Sequence, residues 1–233
     1  LVLVRGAFNV ADVSPPPEEF GLELLAQPGN VPLGSLKWSH PKFTLRLPPG
    51  RYDLWVVVKG AQRERRAIDL RSGQRPLELD PFDLQPTPLQ RAIGKAPPPL
   101  RISEARGVPA TIRLSDYQDR WVLLVFWGYW SGPSTRTTLP RLMEFCDRHE
   151  AAGSRFALLT FHHHTQHTVL GDVLLDASGE TVRQWGVTAF PTAVLIDPEG
   201  NVVASARGAE IATLEQRLAE ELTAARDTPI PAP

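Results

Sequence analysis

The 233-residue sequence predicts two domains of different class, an all-β domain followed by an α/β domain, and three features carry that expectation. The first is strand-type alternation, in which Phe43, Leu45 and Leu47 alternate with polar residues, Pro48-Pro49-Gly50 turns the chain, and Tyr52, Leu54, Val56 and Val58 alternate again. The second is the cluster Pro86, Pro88, Pro97, Pro98 and Pro99, which marks a boundary. The third is Trp121-Val-Leu-Leu-Val-Phe-Trp127, an apolar, β-branched and aromatic run that reads as a strand buried on both faces and leads into a helix.

Composition narrows the function classes. Hydrophobic residues make up 42% of the chain, enough for a sizeable core, and 23 prolines predict several turns and a linker. A formal net charge of −1 gives no electrostatic case for nucleic acid or an anionic membrane. The opening Leu-Val-Leu-Val is too short for a signal-peptide core, and no apolar run approaches the ~20 residues of a membrane span. The sequence begins without methionine, which predicts a mature or trimmed form. Cys146 is the single cysteine, so no internal disulfide forms, and composition says nothing about redox compartment.

In order, residues 1–85 read as all-β, with the 43–58 hairpin joined by short strands at 67–70 and 77–79 and no helix-length periodic segment between them. Residues 86–99 form a Pro-rich linker in which the prolines break any regular element. From residue 100 the pattern changes to alternating strand and helix. A strand at 111–114 precedes the central strand, a helix covers 133–150, and a strand covers 156–161. Strand 173–176, a short helix at 181–185, a hairpin of 192–197 with 201–206, and a helix carrying Ile211, Leu214, Leu218 and Leu222 on one face complete residues 100–226. Residues 227–233 read as a frayed tail.

The helix after the central strand has a recognisable start. Ser131 stands at the N-cap position and Pro133 falls in the first turn, where its missing N–H is harmless. Leu139, Leu142, Met143 and Cys146 give the helix an apolar face, on which Cys146 acts as a small hydrophobe. Trp127-Gly-Tyr-Trp-Ser-Gly-Pro-Ser134, following that strand, resembles the Phe-Trp-x-x-Trp-Cys-Gly-Pro-Cys signature of the ResA/TlpA-like thiol-disulfide oxidoreductases, a branch of the thioredoxin superfamily. Gly186-Val-Thr-Ala-Phe-Pro-Thr192 resembles the cis-proline loop of that superfamily. The two landmarks imply a thioredoxin fold over residues 100–226, a mixed sheet flanked by helices. Residues 43–54 resemble the hairpin of carboxypeptidase-regulatory-like or transthyretin-like β-sandwich modules, which implies a sandwich for 1–85.

The resemblance implies thiol-disulfide exchange on protein substrates outside the cytoplasm, at the positions held here by Ser131 and Ser134. A helix N-terminus stabilises a thiolate and so makes a cysteine nucleophilic near neutral pH. Serine gains no comparable acidity and forms no S–S bond, so the expected chain is redox-inactive as written. The glutamate that many relatives place in the first turns is also absent, since Thr135, Arg136, Thr137 and Thr138 stand there. That favours a naturally degenerate site over an engineered inactive form of an active oxidoreductase. A serine-hydrolase elbow needs glycine two residues either side of the nucleophile, and Ser131 has Tyr129 and Pro133.

What the resemblance leaves intact is a surface. Trp130, Gly132, Pro133, Phe190 and Pro191 are the expected substrate-binding residues, with the backbone beside Pro191 offered to an extended protein or peptide segment. The alternative reading is a metal-binding protein. Phe161-His-His-His-Thr-Gln-His167 places four imidazoles within six residues, and His162, His164 and His167 are the candidate ligands. Adjacent histidines on extended backbone point opposite ways, and no acid or thiol is interleaved, which favours a solvated loop. No cofactor is expected, nor a nucleic-acid partner or membrane span.

Overall fold

The computed structural model describes residues 1–13, 16–149, 155–162 and 172–224. The chain divides into two compact units, Leu1–Arg91 and Ala92–Pro233. In the first unit, β1 (Val2–Val10) pairs antiparallel with β4 (Lys42–Leu47) and parallel with the short strands β7 (Leu77–Glu78) and β8 (Phe82–Leu84). A second sheet has the order β3 (Val31–Trp38), β2 (Phe20–Gln27), β5 (Gly50–Val58), β6 (Arg65–Leu70), antiparallel throughout. Alternation explains the packing: Tyr52, Leu54, Val56 and Val58 of β5 are buried and join Val4, Phe8, Phe43 and Phe82 of the first sheet in one core cluster. Phe8 lies at the centre of its aromatic part, with ring centroids 5.4 Å from Phe20 and 5.2 Å from Phe43.

The stretch expected as a structureless linker holds a short helix, α1 (Pro88–Ala92). Pro88 occupies the first helical position, and the Thr87 hydroxyl accepts the Gln90 N–H at 3.1 Å, so the residues read as breakers form an N-terminal cap instead. Just beyond, Ile93 bridges Val202 and the Gly94 N–H donates to the Val202 carbonyl at 2.8 Å.

The second unit is built on a six-stranded mixed sheet. Its order is β14 (Val202–Arg207), β13 (Thr192–Ile196), β10 (Trp121–Trp127), β11 (Phe156–His162), β12 (Asp172–Leu175), β9 (Glu104–Arg106). Strands β10, β11 and β12 run parallel, and β13, β14 and β9 pair antiparallel with their neighbours. The central position of β10 accounts for its unbroken apolar sequence. Leu123 and Val125 face a cluster with Leu142 and Phe145 of α2 (Leu139–Arg148) and Leu214, Leu218 and Leu222 of α4 (Ile211–Ala224). Phe126 points the other way and meets Phe161 at 5.2 Å and Trp185 at 5.4 Å. Each such side chain contributes about 1.5–3 kcal/mol on burial.

Three sequence expectations change here. The strand predicted at 111–114 does not form, and the chain makes a 3-10 turn over Leu114–Tyr117. The Arg113 N–H donates to Asp116 Oδ2 at 2.8 Å, a local bond that competes with sheet pairing. The helix predicted over 133–150 is not one regular α-helix, because Ser134–Thr138 form a π turn ahead of α2. Pro140 supplies the reason: it has no N–H for the Arg136 carbonyl, and the ladder widens so that the Leu139 N–H reaches the Ser134 carbonyl five residues back. Finally, Cys146 is half-buried at the edge of the cluster, and Phe145 takes the fully buried place on α2. The tail assigned to 227–233 lies outside the described residues.

Candidate functional site

Strand β10 ends at Trp127, and the next four residues make the turn that carries the site. The Ser131 N–H donates to the Gly128 carbonyl at 3.0 Å and closes that turn. Gly128 leaves room for its neighbour: a Cβ built there falls 2.7 Å from Trp130 Cζ2, so a side chain at 128 would push aside the indole that folds back over the turn. Trp130 and Tyr129 stay on the surface, 48% and 47% exposed, and meet edge to face with ring centroids 5.1 Å apart.

Ser131 caps the helix, as its position predicts. Its Oγ accepts the Ser134 N–H at 3.3 Å, and its carbonyl accepts the Thr135 N–H at 3.1 Å. The same hydroxyl donates to the Phe190 carbonyl at 3.0 Å, which ties the helix start to the loop before β13. The Phe190–Pro191 peptide bond is cis. That loop is held from behind by the Thr192 hydroxyl donating to the Ala189 carbonyl at 2.7 Å and by the Gly208 N–H donating to the Pro191 carbonyl at 3.0 Å. Trp130 meets Phe190 edge to face at 5.6 Å.

The two serines differ in access. Ser131 is partly exposed, whereas Ser134 is 0% exposed and its Oγ has no hydrogen-bond partner among the described residues. Open space surrounds Gly132, where an added Cβ would meet nothing within 4 Å, and Pro133 beside it is exposed. The structure therefore brings Trp130, Ser131, Gly132, Pro133, Phe190 and Pro191 to one place, with Ser134 beneath them. A hydroxyl, a helix N-terminus and aromatic rings make up this place.

His162 does not stand in a solvated loop. It ends β11, is 3% exposed, and packs against Trp127 at 4.4 Å between ring centroids and against Trp130 at 5.9 Å. Its Nε2 accepts the Tyr129 N–H at 3.4 Å. His164 and His167 lie outside the described residues, and among the described residues no group of three or more His, Cys, Asp or Glu is placed to hold a metal ion. Two residues with structural roles went unnoticed in the sequence. Tyr129 packs against His162 and Trp130, a role the aromatic run 127–130 signals. Asp176, the residue after β12, holds the turn into α3 (Glu180–Gln184), accepting the Thr181 N–H at 2.8 Å and the Ser178 N–H at 2.9 Å. Burial pushes its carboxyl up, but the hydrogen bonds from Ser178 and Thr181 outweigh this and hold it below the ordinary aspartate value. Burial and the neighbouring Asp147 push the Cys146 thiol up.

A β-α-β then β-β-α order around a mixed sheet, with a helix N-terminus facing a cis-proline loop, defines a thioredoxin-like fold. Residues 93–205 match the AhpC/TSA family. The thiol-disulfide oxidoreductase ResA of Bacillus thuringiensis subsp. konkukian is 27% identical over 124 residues, spanning 50% of this chain and 70% of that protein. ResA of Bacillus anthracis is 27% identical over 119 residues, spanning 48% of this chain and 67% of its own. Among solved structures, the exposed lipoprotein thioredoxin of Streptococcus pneumoniae shares 28% identity, with a TM-score of 0.37, over 47% of this chain and 90% of that one. Over residues 93–205 the chain is thus similar to the AhpC/TSA family and to the ResA thiol-disulfide oxidoreductases.

Proposed function

We propose that this chain is a redox-inactive relative of the thiol-disulfide oxidoreductases whose C-terminal unit binds an extended protein or peptide segment outside the cytoplasm. In this reading Ser131 and Ser134 stand where the family has its two cysteines, and the N-terminal unit is a β-sandwich that spaces or tethers the binding unit. The observation that carries it is the 3.0 Å hydrogen bond from Ser131 Oγ to the Phe190 carbonyl. A neutral hydroxyl there acts as a cap and a tie between helix and loop; the Phe190 and Pro191 carbonyls already accept from Ser131 and Gly208, and the half-exposed Trp130 presents the aromatic surface for a partner segment. ResA relatives carry thiol-disulfide oxidoreductase in their names, and transfer of that partner class to this chain rests on the shared landmarks.

A single substitution tests both halves of the reading. Ser131→Cys supplies one thiolate at the helix N-terminus. It attacks a partner disulfide, forms an S–S bond to residue 131 and expels the partner's other sulfur as thiolate; Ser134, having no thiol, cannot displace the partner again. The mixed disulfide therefore accumulates. Incubation with oxidised insulin is expected to give a covalent adduct with the variant and none with the parent, whose Cys146 is the internal control. Absence of the adduct in a folded variant overturns the proposed surface, and disulfide reduction by the parent overturns the inactivity.

A further inference from the structure

The loop before β13 has three consecutive carbonyls engaged within the chain. Ala189 accepts the Thr192 hydroxyl at 2.7 Å, Phe190 accepts the Ser131 hydroxyl at 3.0 Å, and Pro191 accepts the Gly208 N–H at 3.0 Å. Pro191 is buried and has no N–H of its own. A partner that adds itself as a strand draws affinity from a ladder of main-chain donors and acceptors, and this loop offers a poor template for one. What faces outward beside it is aromatic. Tyr129 and Trp130 are half-exposed with ring planes 86° apart, and Trp130 meets the half-buried Phe190 at 78°. Pro133, in the same turn, is exposed as well, and none of these four residues carries a charge.

We propose that these rings bind a proline-rich segment in the polyproline II conformation; the inference rests on the peptide-binding reading above and names the class of partner. The engaged carbonyls select it. An ordinary segment laid over the rings takes its N–H groups out of water, and a buried donor that finds no acceptor opposes binding. Proline has no N–H to leave unpaired. A polyproline II segment makes no internal hydrogen bonds, so its carbonyls point outward, and the helix start that Ser131 caps presents partial positive charge beside the rings. A carbonyl-rich, donor-poor partner is the electrostatic complement of that surface. Such a segment is also extended before it binds, so it loses little conformational freedom where side-chain contacts must carry the affinity. Its pyrrolidine rings supply apolar faces to Tyr129, Trp130 and Phe190, the pairing by which aromatic grooves hold proline-rich chains.

The test is titration of the full chain with decaproline and, separately, with a proline-free peptide of equal length made of alternating valine and serine, followed by amide and indole chemical shifts. Saturable shifts centred on Tyr129, Trp130 and Phe190 are expected with decaproline, at an affinity at least about fivefold above that of the proline-free peptide. Trp130→Ala is expected to weaken decaproline binding at least about tenfold. Trp130 also packs over Gly128, so Tyr129→Ala on the exposed rim serves beside it, with an expected loss of at least about threefold. Tighter binding of the proline-free peptide at the same residues overturns the inference and leaves the peptide-binding reading in place, which the Ser131→Cys adduct tests by itself. Decaproline that gives no saturable shift, that shifts residues elsewhere on the chain, or that binds folded Trp130→Ala and Tyr129→Ala as it binds the parent overturns it as well.

Discussion

Ser131 Oγ and the carbonyl oxygen of Phe190 lie 3.0 Å apart, joined by the hydroxyl proton, although 59 positions separate them in the chain. The same Oγ accepts the Ser134 N–H, so one small side chain is helix cap and inter-element tie together. The consequences of this double role can be measured.

Removing the hydroxyl tests its structural share. Ser131→Ala loses the cap and the tie, and the expected destabilisation is on the order of 1 kcal/mol, read from urea denaturation. Affinity for an extended peptide is expected to stay within about twofold. Complete loss of binding in this variant assigns the serine a recognition role that the surface reading denies it.

Replacing oxygen by sulfur tests the electrostatics. In Ser131→Cys the new thiol sits at a helix N-terminus beside the Ser134 N–H, and its pKa is expected to fall below the usual ~8.5 of a free cysteine. Cys146 moves the other way, because burial and Asp147 push its thiol up. Iodoacetamide at neutral pH is therefore expected to modify residue 131 well before residue 146, as peptide mass mapping would show. The Ser131→Cys/Ser134→Cys double variant is expected to reduce insulin disulfides with a thiol donor, and the parent to remain silent.

Trp130 is the expected anchor for a partner. It is half exposed, edge-on to Phe190, and seated over Gly128. Trp130→Ala is expected to weaken peptide binding by about 2 kcal/mol, the scale of an interfacial aromatic hot spot, while folding stability shifts by about 1 kcal/mol or less. Calorimetric titration and denaturation of the same samples separate the two effects.

Asp176 gives the fold a dependence on acid. Its carboxyl is held below the ordinary value, burial being outweighed by hydrogen bonds from Ser178 and Thr181. The unfolded chain then binds the proton more tightly than the folded one, so the contribution is present above about pH 3.9 and is lost as pH falls through the folded value. Asp176→Asn is expected to be less stable than the parent by about 1.5–3 kcal/mol at pH 7, the range for hydrogen bonds to a charged group. The gap should narrow in urea titrations carried down to pH 3. A gap independent of pH would assign Asp176 a packing role only.

Much of this architecture is legible in residue order because it rests on local rules. The alternation of Tyr52, Leu54, Val56 and Val58 marks which face of β5 is buried, the uninterrupted 121–127 run marks a strand covered on both sides, and Ser131 with Pro133 marks a helix start. That the chain has a single cysteine, Cys146, and serine at positions 131 and 134 is equally plain from residue order. What residue order left open depended on partners distant in sequence. Pro140 turned a regular helix into a π turn because its missing N–H mattered only once the Arg136 carbonyl lay beneath it. His162 reads as one of a polar run, and the fold buries it against Trp127 because β11 lies next to β10 in parallel register. Asp53 reads as a surface residue of an alternating strand. Only the neighbouring strands, bringing Gln27 and Arg65 over it, decide that it is a buried carboxylate with one oxygen unsatisfied. Periodicity fixes which way a side chain points, and the rest of the chain decides what it meets there.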